Sequence, residues 1–241
     1  MALVLSEDRN GWVEIMLNEP RTRNAITGPL GDELADAIRT ADSSALCRLV
    51  LLRGADGAFC SGLNLKEFNR EPAPAWLSSF QQTWRAVHTA LYECRKPIVV
   101  ALERFAINGG AALALAGDLL IVGDDSYLQV GEVRQGMAAP YNLAWLNLRF
   151  SEHLTAQLTL TGRRFTGTEL HRLGIAYAAP PTSEVIAVAS ALCEELATFP
   201  SDALTTIKRT MRAYCDVPAH EWFDKATTNL PRARSKPRRV S

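Results

Sequence analysis

The sequence predicts a mixed α/β fold that ends in a module built of helices alone. Short apolar runs typical of strands alternate with helical patterns along most of the 241 residues. After Pro180 and Pro181 the strand-like runs stop, and only helical periodicity continues. We therefore place a boundary near residue 182, with an α/β core at 1–182 and a helical module at 183–241.

The first half of the core alternates strands and helices. Apolar and polar residues alternate from Val13 to Leu17, as in a half-buried strand. Thr27 can cap the helix that follows, with Pro29 tolerated in its first turn. Residues 49–52 form a continuous apolar run, which predicts a strand buried on both faces. A helical stripe then runs from Trp76 to Leu91.

The second half repeats the alternation, and the module that follows is helical. Gly109 and Gly110 open a helix to residue 116, and further patterns predict strands at 98–102, 119–122 and 127–130 and a helix at 142–150. In the module, apolar stripes predict one helix from Val185 to Leu196 and another from Leu204 to Tyr214. Ser201 is a candidate cap for the second of these helices.

The composition is that of an ordinary soluble chain, with 47% hydrophobic and 22% charged residues. No apolar run approaches the ~20 residues of a bilayer span, and the first ten residues lack the apolar core of a secretory signal. The five cysteines are scattered without a CxxC pair, and the four histidines lie far apart. We therefore predict no metal site, no disulfide framework and a cytoplasmic location with reduced thiols.

The formal net charge of zero hides a basic tail. Residues 231–241 carry five basic side chains and no acidic one, which leaves 21 basic and 26 acidic residues in the rest of the chain. Nucleic-acid-binding domains are usually basic, so this mildly acidic body argues against a nucleic-acid partner.

Two glycine-containing turns could carry chemistry. They lie at residues 58–68, after the predicted strand at 49–52, and at residues 107–113, where a strand leads into a helix. Glycine lets backbone approach a ligand closely, and a helix N-terminus offers N–H groups without partners. Together the two turns could supply two N–H donors to one oxyanion. The dinucleotide fingerprint GxGxxG is absent.

The chain resembles the crotonase superfamily, the enoyl-CoA hydratase/isomerase family, in five segments that occur in the family's order and spacing. They are residues 18–26, 58–68, 105–114, 118–132 and 160–176. The resemblance implies a crotonase-like spiral of ββα turns, with a C-terminal helical module that builds homotrimers, often paired into dimers of trimers. It also implies an acyl-CoA thioester as substrate. Coenzyme A is then part of the substrate, and no separate cofactor is implied.

The same resemblance assigns binding roles by position. The backbone N–H groups of Leu63 and Gly109 would form the oxyanion hole that holds the thioester oxygen as it becomes an enolate. The coenzyme A contacts would fall on Arg21 and Lys66 for the phosphates. Ser61 and Leu63 would lie near the adenine.

The catalytic carboxylates are where this sequence departs from the family. In the hydratases two glutamates share the water and proton chemistry. The second of these positions is Glu132, but the first is Ala112, which cannot ionise. The family's Asn-Gly turn ahead of the second glycine turn is replaced by Glu103 and Arg104.

The loop after Glu132 departs as well. The family's Pro-Gly-x-Gly-Gly segment is replaced here by residues 139–143. Because other family members place catalytic groups in this loop, Tyr141 and Asn142 are candidates for the substrate pocket, together with Ala112. The identity of the substrate's acyl group therefore cannot be transferred from the family to this chain.

Three hypotheses follow. The favoured one is a single-base enoyl-CoA isomerase, because Glu132 alone can remove a proton at C2 and return it at C4, and an apolar pocket should raise its pKa. The second is an atypical enoyl-CoA hydratase that recruits another polar group, or a decarboxylase-like relative. The third is a non-catalytic acyl-CoA binding protein, since a fold does not fix a reaction.

Overall fold

The structure is a computed structural model that describes residues 2–215 and 217–228. The basic tail predicted at 231–241 lies outside the described residues. Eight strands are described: β1 (Val4–Asp8), β2 (Trp12–Leu17), β3 (Leu49–Gly54), β4 (Ile98–Leu102), β5 (Phe105–Ile107), β6 (Leu119–Val122), β7 (Tyr127–Gln129) and β8 (Arg164–Thr166).

Ten α-helices are described: α1 (Gly28–Ser43), α2 (Leu65–Phe68), α3 (Phe80–Glu93), α4 (Gly109–Ala116), α5 (Pro140–Arg149), α6 (Glu152–Thr161), α7 (Gly167–Arg172), α8 (Val185–Ala197), α9 (Ser201–Ala213) and α10 (Ala219–Thr228). Short 3-10 helices lie at Pro20–Thr22, Ala75–Ser79, Glu132–Gln135 and Thr182–Glu184. None of the helices within residues 2–215 and 217–228 is both long and apolar enough to cross a bilayer.

The strands form two sheets. The larger has the order β1-β2-β3-β4-β6, in which β1 is an antiparallel edge strand and the other pairs are parallel. The inner strands β3 and β4 read as apolar runs because helices cover both faces of a parallel sheet. The smaller sheet has the order β5-β7-β8, with β5 and β7 parallel. Because parallel neighbours end at one edge, the segments that follow β5 and β7 meet there.

Helices cover the larger sheet on both faces. Helices α1 and α3 pack against each other and belong to the main apolar core. On the other face, α8 buries Val185, Ala189 and Cys193 against side chains of the sheet. The module predicted at 183–241 therefore begins, in the described residues, with a helix that completes the layered core. The boundary near residue 182 stays a prediction.

Most of the predicted elements are confirmed, with small shifts at their ends. The side chain of Thr27 caps α1 as predicted, accepting a hydrogen bond from the N–H of Leu30 at 3.3 Å. Two details are wrong. Trp76 lies in a 3-10 helix, and α3 begins only at Phe80. Ser201 does not cap α9, because it is already its first helical residue and the N-cap is Pro200, which makes no side-chain cap.

Candidate active site

The parallel pairing of β5 and β7 places the second glycine turn beside the acidic residue predicted to be catalytic. Ile107 pairs with Gln129 at the ends of the two strands. Two residues further on in each segment lie Gly109, which begins α4, and Gly131, which precedes Glu132. A three-residue strand pair therefore brings together two segments that are more than 20 residues apart in the chain.

Asn108 fastens these two segments to each other. Its N–H donates to the carbonyl of Gln129, and its Oδ1 accepts from the N–H of Gly131, both at 2.8 Å. Its own carbonyl accepts from the N–H of Ala112 at 3.0 Å and from Nδ2 of Asn142 at 3.1 Å. Asn108 has a positive φ of 51°, which is uncommon outside glycine and persists where surrounding contacts over-determine it.

The first glycine turn lies directly against the second. Cys60 pairs with Ala106, and Gly62 adopts a φ of 88°. A Cβ on Gly62 would stand 2.7 Å from the carbonyl oxygen of Ile107, so only glycine permits this approach. In the described part of the chain, the N–H groups of Leu63 and Gly109 donate no hydrogen bond. The two predicted oxyanion donors therefore lie on adjoining turns and are free to donate.

Glu132 is a half-buried carboxyl group without a charged partner in the described residues. Its Oε1 accepts a hydrogen bond from Nδ2 of Asn142 at 3.0 Å. Its Oε2 is buried and has no hydrogen-bond partner among the described residues. Burial raises the pKa of Glu132 to about 7, and hydrogen bonds from its own backbone and from Asn142 lower it by less. The group can therefore gain or lose a proton near neutral pH.

Ala112, which the family resemblance places at the first glutamate of the hydratases, is only 1% exposed. It lies three residues after Gly109 on α4, so both residues share one face of this helix. The described residues of α4 are glycine, alanine and leucine, and almost all of them are buried. By this resemblance, the methyl group of Ala112 stands where the hydratases have the carboxyl group of their first glutamate.

Tyr141 belongs to an aromatic wall next to these turns. Its ring stacks on the imidazole of His88 with 4.3 Å between centroids, and it meets Trp84 edge-on at 6.2 Å. A Cβ on Gly109 would stand 3.5 Å from the ring of Trp84, so the wall reaches the predicted oxyanion hole. Burial raises the pKa of Tyr141 to about 12, which keeps its hydroxyl protonated.

His88 is a polar group that the sequence analysis missed. Burial lowers its pKa to about 3, so the imidazole is neutral. Its Nδ1 accepts a hydrogen bond from Nε1 of Trp145 at 2.9 Å, and the proton therefore lies on Nε2. Nε2 is buried without a partner among the described residues. No sequence signal distinguishes His88, because it lies on the apolar stripe of α3.

Of the residues predicted to contact coenzyme A, Ser61 and Lys66 belong to the segment of the first glycine turn, and Arg21 lies in the 3-10 helix Pro20–Thr22. The hydroxyl of Ser61 donates to the carbonyl of Thr22 at 3.0 Å, which joins its loop to the one that carries Arg21. The Arg21 side chain is 91% exposed and only 3.7 Å from Glu19. Lys66 is exposed on the short helix α2. The two cations are therefore accessible to a phosphate group.

A second buried carboxylate, Asp118, lies at the opposite end of α4. Its oxygens lie 2.7 Å from Nζ of Lys208 and 3.1 Å from Nη2 of Arg149, and Arg212 follows at 3.6 Å. The N–H of Ile98 donates to it at 2.8 Å. Burial alone would raise the pKa of Asp118, but Lys208 and Arg149 lower it to about 2.

A cavity of about 340 Å³ adjoins this ion cluster and is lined by Asp118, Arg149 and Arg212. Another, of about 330 Å³, lies between α5 and α10. Neither is lined by the glycine turns or by Glu132. Within residues 2–215 and 217–228, no three histidine, cysteine or acidic side chains are grouped as they would be to ligate a metal ion.

Comparison with known proteins gives consistent results. The model of the family described as enoyl-CoA hydratase/isomerase matches residues 7–236. The chain is 26% identical over 217 residues to the 1,2-epoxyphenylacetyl-CoA isomerase of Escherichia coli (strain K12), over 88% of this chain and 83% of that protein. It is 28% identical over 218 residues to the carnitinyl-CoA dehydratase of Proteus mirabilis (strain HI4320), over 89% of this chain and 82% of that protein.

The fold agrees with solved structures over nearly the whole chain. The enoyl-CoA hydratase from Mycobacterium tuberculosis H37Rv superposes with a TM-score of 0.77 at 27% identity, over 95% of this chain and 88% of that chain. The predicted crotonase-like α/β fold is thereby confirmed. Together with the match to the family model, this shows that the chain belongs to the enoyl-CoA hydratase/isomerase family of the crotonase superfamily, a family of acyl-CoA-processing enzymes.

Proposed function

We propose that the protein is a single-base enoyl-CoA isomerase that shifts a double bond from the 3,4 to the 2,3 position. The backbone N–H groups of Leu63 and Gly109 hold the thioester oxygen. Glu132 removes a proton at C2, which gives a dienolate with its negative charge on that oxygen, and returns the proton at C4. The product is the conjugated 2-enoyl thioester.

One observation carries this proposal. Asn108, which precedes the donor Gly109, accepts a hydrogen bond from Gly131, which precedes the base Glu132, at 2.8 Å. This hydrogen bond holds the segment of the proposed base against the segment of the proposed oxyanion donor. Such fixed donors and bases are the arrangement that stabilises an enolate as it forms.

The electrostatics of Glu132 support proton transfer in both directions. Burial raises its pKa to about 7, so both protonation states are populated at neutral pH. A base with this pKa removes the C2 proton and is acidic enough to deliver a proton to C4. Ala112 adds no second carboxylate to hold a water molecule, which favours isomerisation over hydration.

Product analysis tests the proposal. The protein is incubated separately with 3-hexenoyl-CoA and crotonyl-CoA, and the products are separated by chromatography. The proposal predicts 2-hexenoyl-CoA from the first substrate and little 3-hydroxybutyryl-CoA from the second. Rapid hydration of crotonyl-CoA without isomerisation would support the hypothesis of an atypical hydratase. Binding of both thioesters without turnover would support the hypothesis of a non-catalytic acyl-CoA binding protein.

We also propose that Arg21 and Lys66 bind the phosphates of coenzyme A and that Ser61 lies near its adenine. The exposure of both cations, one in the 3-10 helix Pro20–Thr22 and one on α2, supports this role. Removing both charges in Arg21→Ala/Lys66→Ala should raise KM for acyl-CoA and leave KM for the matching pantetheine thioester unchanged. Equal effects on both thioesters would contradict phosphate binding.

Assembly as a homotrimer, or as a dimer of trimers, is a further part of the proposal. Helix α9 exposes Ile207 and Met211, which are 58% and 56% exposed, and Tyr214 directly after the helix is 90% exposed. An exposed apolar patch of this kind is typical of a protein interface. Sedimentation should show a mass of three or six chains, and a single 26.4 kDa species at micromolar concentration would contradict the assembly.

The cytoplasmic location stays a prediction. All five cysteines are free thiols, and four of them are buried, which agrees with a reducing compartment. A human relative, 31% identical over 68% of this chain and 57% of its own length, carries the name enoyl-CoA hydratase domain-containing protein 2, mitochondrial. Fractionation of cells that produce the tagged protein would decide between these compartments.

A further inference from the structure

Asn142 stands out because it is a buried polar side chain in an otherwise apolar helix. It lies in the first turn of α5 and is 2% exposed, close to the buried Ala144, Trp145 and Leu146. A buried amide is costly unless its hydrogen bonds are satisfied. Its Nδ2 has two acceptors, Glu132 and Asn108, whereas its Oδ1 is buried without a partner among the described residues.

The orientation of this amide follows from its partners. The backbone carbonyl of Asn108 can only accept a hydrogen bond, so the atom of Asn142 that faces it at 3.1 Å is the Nδ2 donor. The second hydrogen of Nδ2 is then available to Oε1 of Glu132 at 3.0 Å. Both hydrogens of the amide are thereby used, one by the carbonyl of Asn108 and one by Oε1 of Glu132.

The two oxygens of Glu132 differ as a result. Oε1 is held by Asn142, whereas Oε2 is buried and has no hydrogen-bond partner among the described residues. A carboxylate oxygen that already accepts a charge-assisted hydrogen bond is less basic than one that does not. The unpartnered Oε2 is therefore the oxygen on which a proton is most stable.

We propose that Asn142 is the positioning residue of Glu132: it holds Oε1, directs Oε2 as the oxygen that exchanges the proton, and ties the base to the turn that carries Gly109. This inference rests on the proposed role of Glu132 as the base. Nothing in the family resemblance supplies it, because the loop at 139–143 departs from the family's pattern. A glycine-rich loop has no side chain that could make these two hydrogen bonds, whereas α5 provides Asn142.

The bond also affects proton transfer. A hydrogen bond to the ionised carboxylate stabilises that form, and the Asn142 amide therefore lowers the pKa of Glu132 against the larger effect of burial. Removing it should raise the pKa of Glu132 by about one unit, because the ionised carboxylate loses a charge-assisted hydrogen bond. The base is then less ionised at neutral pH and less well oriented.

The test compares Asn142→Leu, which has nearly the same size and cannot hydrogen-bond, with Asn147→Leu, an exposed asparagine of the same helix. The first readout is the carboxyl titration of Glu132 in protein labelled with ¹³C at glutamate, assigned with Glu132→Gln. The second is the pH dependence of α-proton exchange of butyryl-CoA in D₂O, which needs a base and an oxyanion hole but no double-bond shift.

We expect both the titration and the acid limb of exchange to move up by about one pH unit in Asn142→Leu and to stay unchanged in Asn147→Leu. The plateau rate at high pH should also fall about tenfold, because a misplaced base reacts slowly even when ionised. An equal loss of exchange at all pH values with an unchanged titration would show that Asn142 only packs the helix, and would overturn the inference.

The inference and the proposed function fail separately. If the wild type exchanges no α-proton, the proposed base chemistry fails, and the carboxyl titration alone still decides whether Asn142 holds Glu132. If Asn142→Leu does not fold, Asn142→Ser replaces it, because the shorter hydroxyl cannot reach both partners. An unchanged Glu132 titration in that variant counts against the inference.

Discussion

Two carboxylates, the half-buried Glu132 and the nearly buried Asp118, lie near opposite ends of α4 and have opposite environments. Asp118 is surrounded by Lys208, Arg149 and Arg212, and its pKa is lowered to about 2. Glu132 has one neutral amide as its partner, and burial raises its pKa to about 7. Paired charge fixes Asp118 in one protonation state, whereas uncompensated burial leaves Glu132 able to exchange a proton.

The difference separates an acid held in one charge state from one that can exchange a proton near neutral pH. The partners of Asp118 come from α5 and α9, so this carboxylate joins the helical end of the chain to the core. Glu132 contributes no such tie, and its burial costs stability whenever it ionises. A group retained at such a cost is a candidate for function, and substitutions at the two sites should therefore have opposite consequences.

The largest effect is expected on turnover. Glu132→Gln keeps the size of the side chain and can still accept from Asn142, but it cannot take a proton. We expect isomerase kcat to fall by about 10²–10⁴-fold with little change in acyl-CoA affinity. Stopped assays on 3-hexenoyl-CoA measure the loss, with Glu194→Gln, an exposed glutamate, as the matched control. Undiminished turnover in Glu132→Gln would move the base elsewhere.

The next effect is expected on stability. Lys208→Met removes the closest cation of Asp118 and leaves a buried charge with fewer partners. We expect the free energy of unfolding to fall by about 3–5 kcal/mol, as measured by chemical denaturation. Arg209→Met, which removes an exposed charge from the same helix, should change it little. A Lys208→Met variant as stable as the wild type would show that the ion cluster does not hold α9 in place.

The pH dependence of stability should have opposite signs at the two sites. The lowered pKa of Asp118 adds stability that is present above about pH 4 and lost as the pH falls toward 2. The raised pKa of Glu132 adds stability that is present below about pH 4.5 and lost as the pH rises through 7.

Denaturation at several pH values isolates the contribution of Glu132. Glu132→Gln should be more stable than the wild type at pH 8, by on the order of 2–3 kcal/mol, and no more stable at pH 4. The same difference at both pH values would mean that ionisation of Glu132 costs the fold nothing.

The smallest effect is expected for hydration. Ala112→Glu places a carboxylate on the face of α4 that carries Gly109, and we expect a modest rise in hydration of crotonyl-CoA above a low wild-type rate. Ala112→Gln, which has the same size and cannot ionise, is the control. Wild-type hydration as fast as that of a relative with two glutamates would contradict the argument from Ala112.

The sequence predicts the elements that carry their own pattern. The buried strands β3 and β4 are apolar runs, and α4 begins with two glycines, so their places could be predicted from local residues. The strands β5 and β8 have three residues each and exist only through pairing with β7, so nothing in their own sequence predicts them. The short pair of β5 and β7 is also what brings Asn108 and Glu132 together.

The candidate site likewise combines residues that the sequence identifies with contacts that it does not. Glu132, Leu63 and Gly109 could be named from motif positions, and Asn142 from its place in an altered loop. The hydrogen bond that joins Asn142 to Glu132 could not be predicted, because it depends on where α5 begins, at Pro140. The three cations that surround Asp118 lie 31, 90 and 94 residues away, beyond the reach of any local pattern.

The most direct test of Glu132 as a base active near neutral pH is the pH dependence of kcat/KM, which reports the pKa of the free enzyme. The substrate is the pantetheine thioester of 3-hexenoic acid, because it has no phosphate that titrates in this range. We predict an acid limb with an apparent pKa of about 7. In Glu132→Gln both the activity and this limb should be lost. An acid limb at the ordinary pKa of a glutamate, about 4.3, or an unchanged limb in the variant would contradict it.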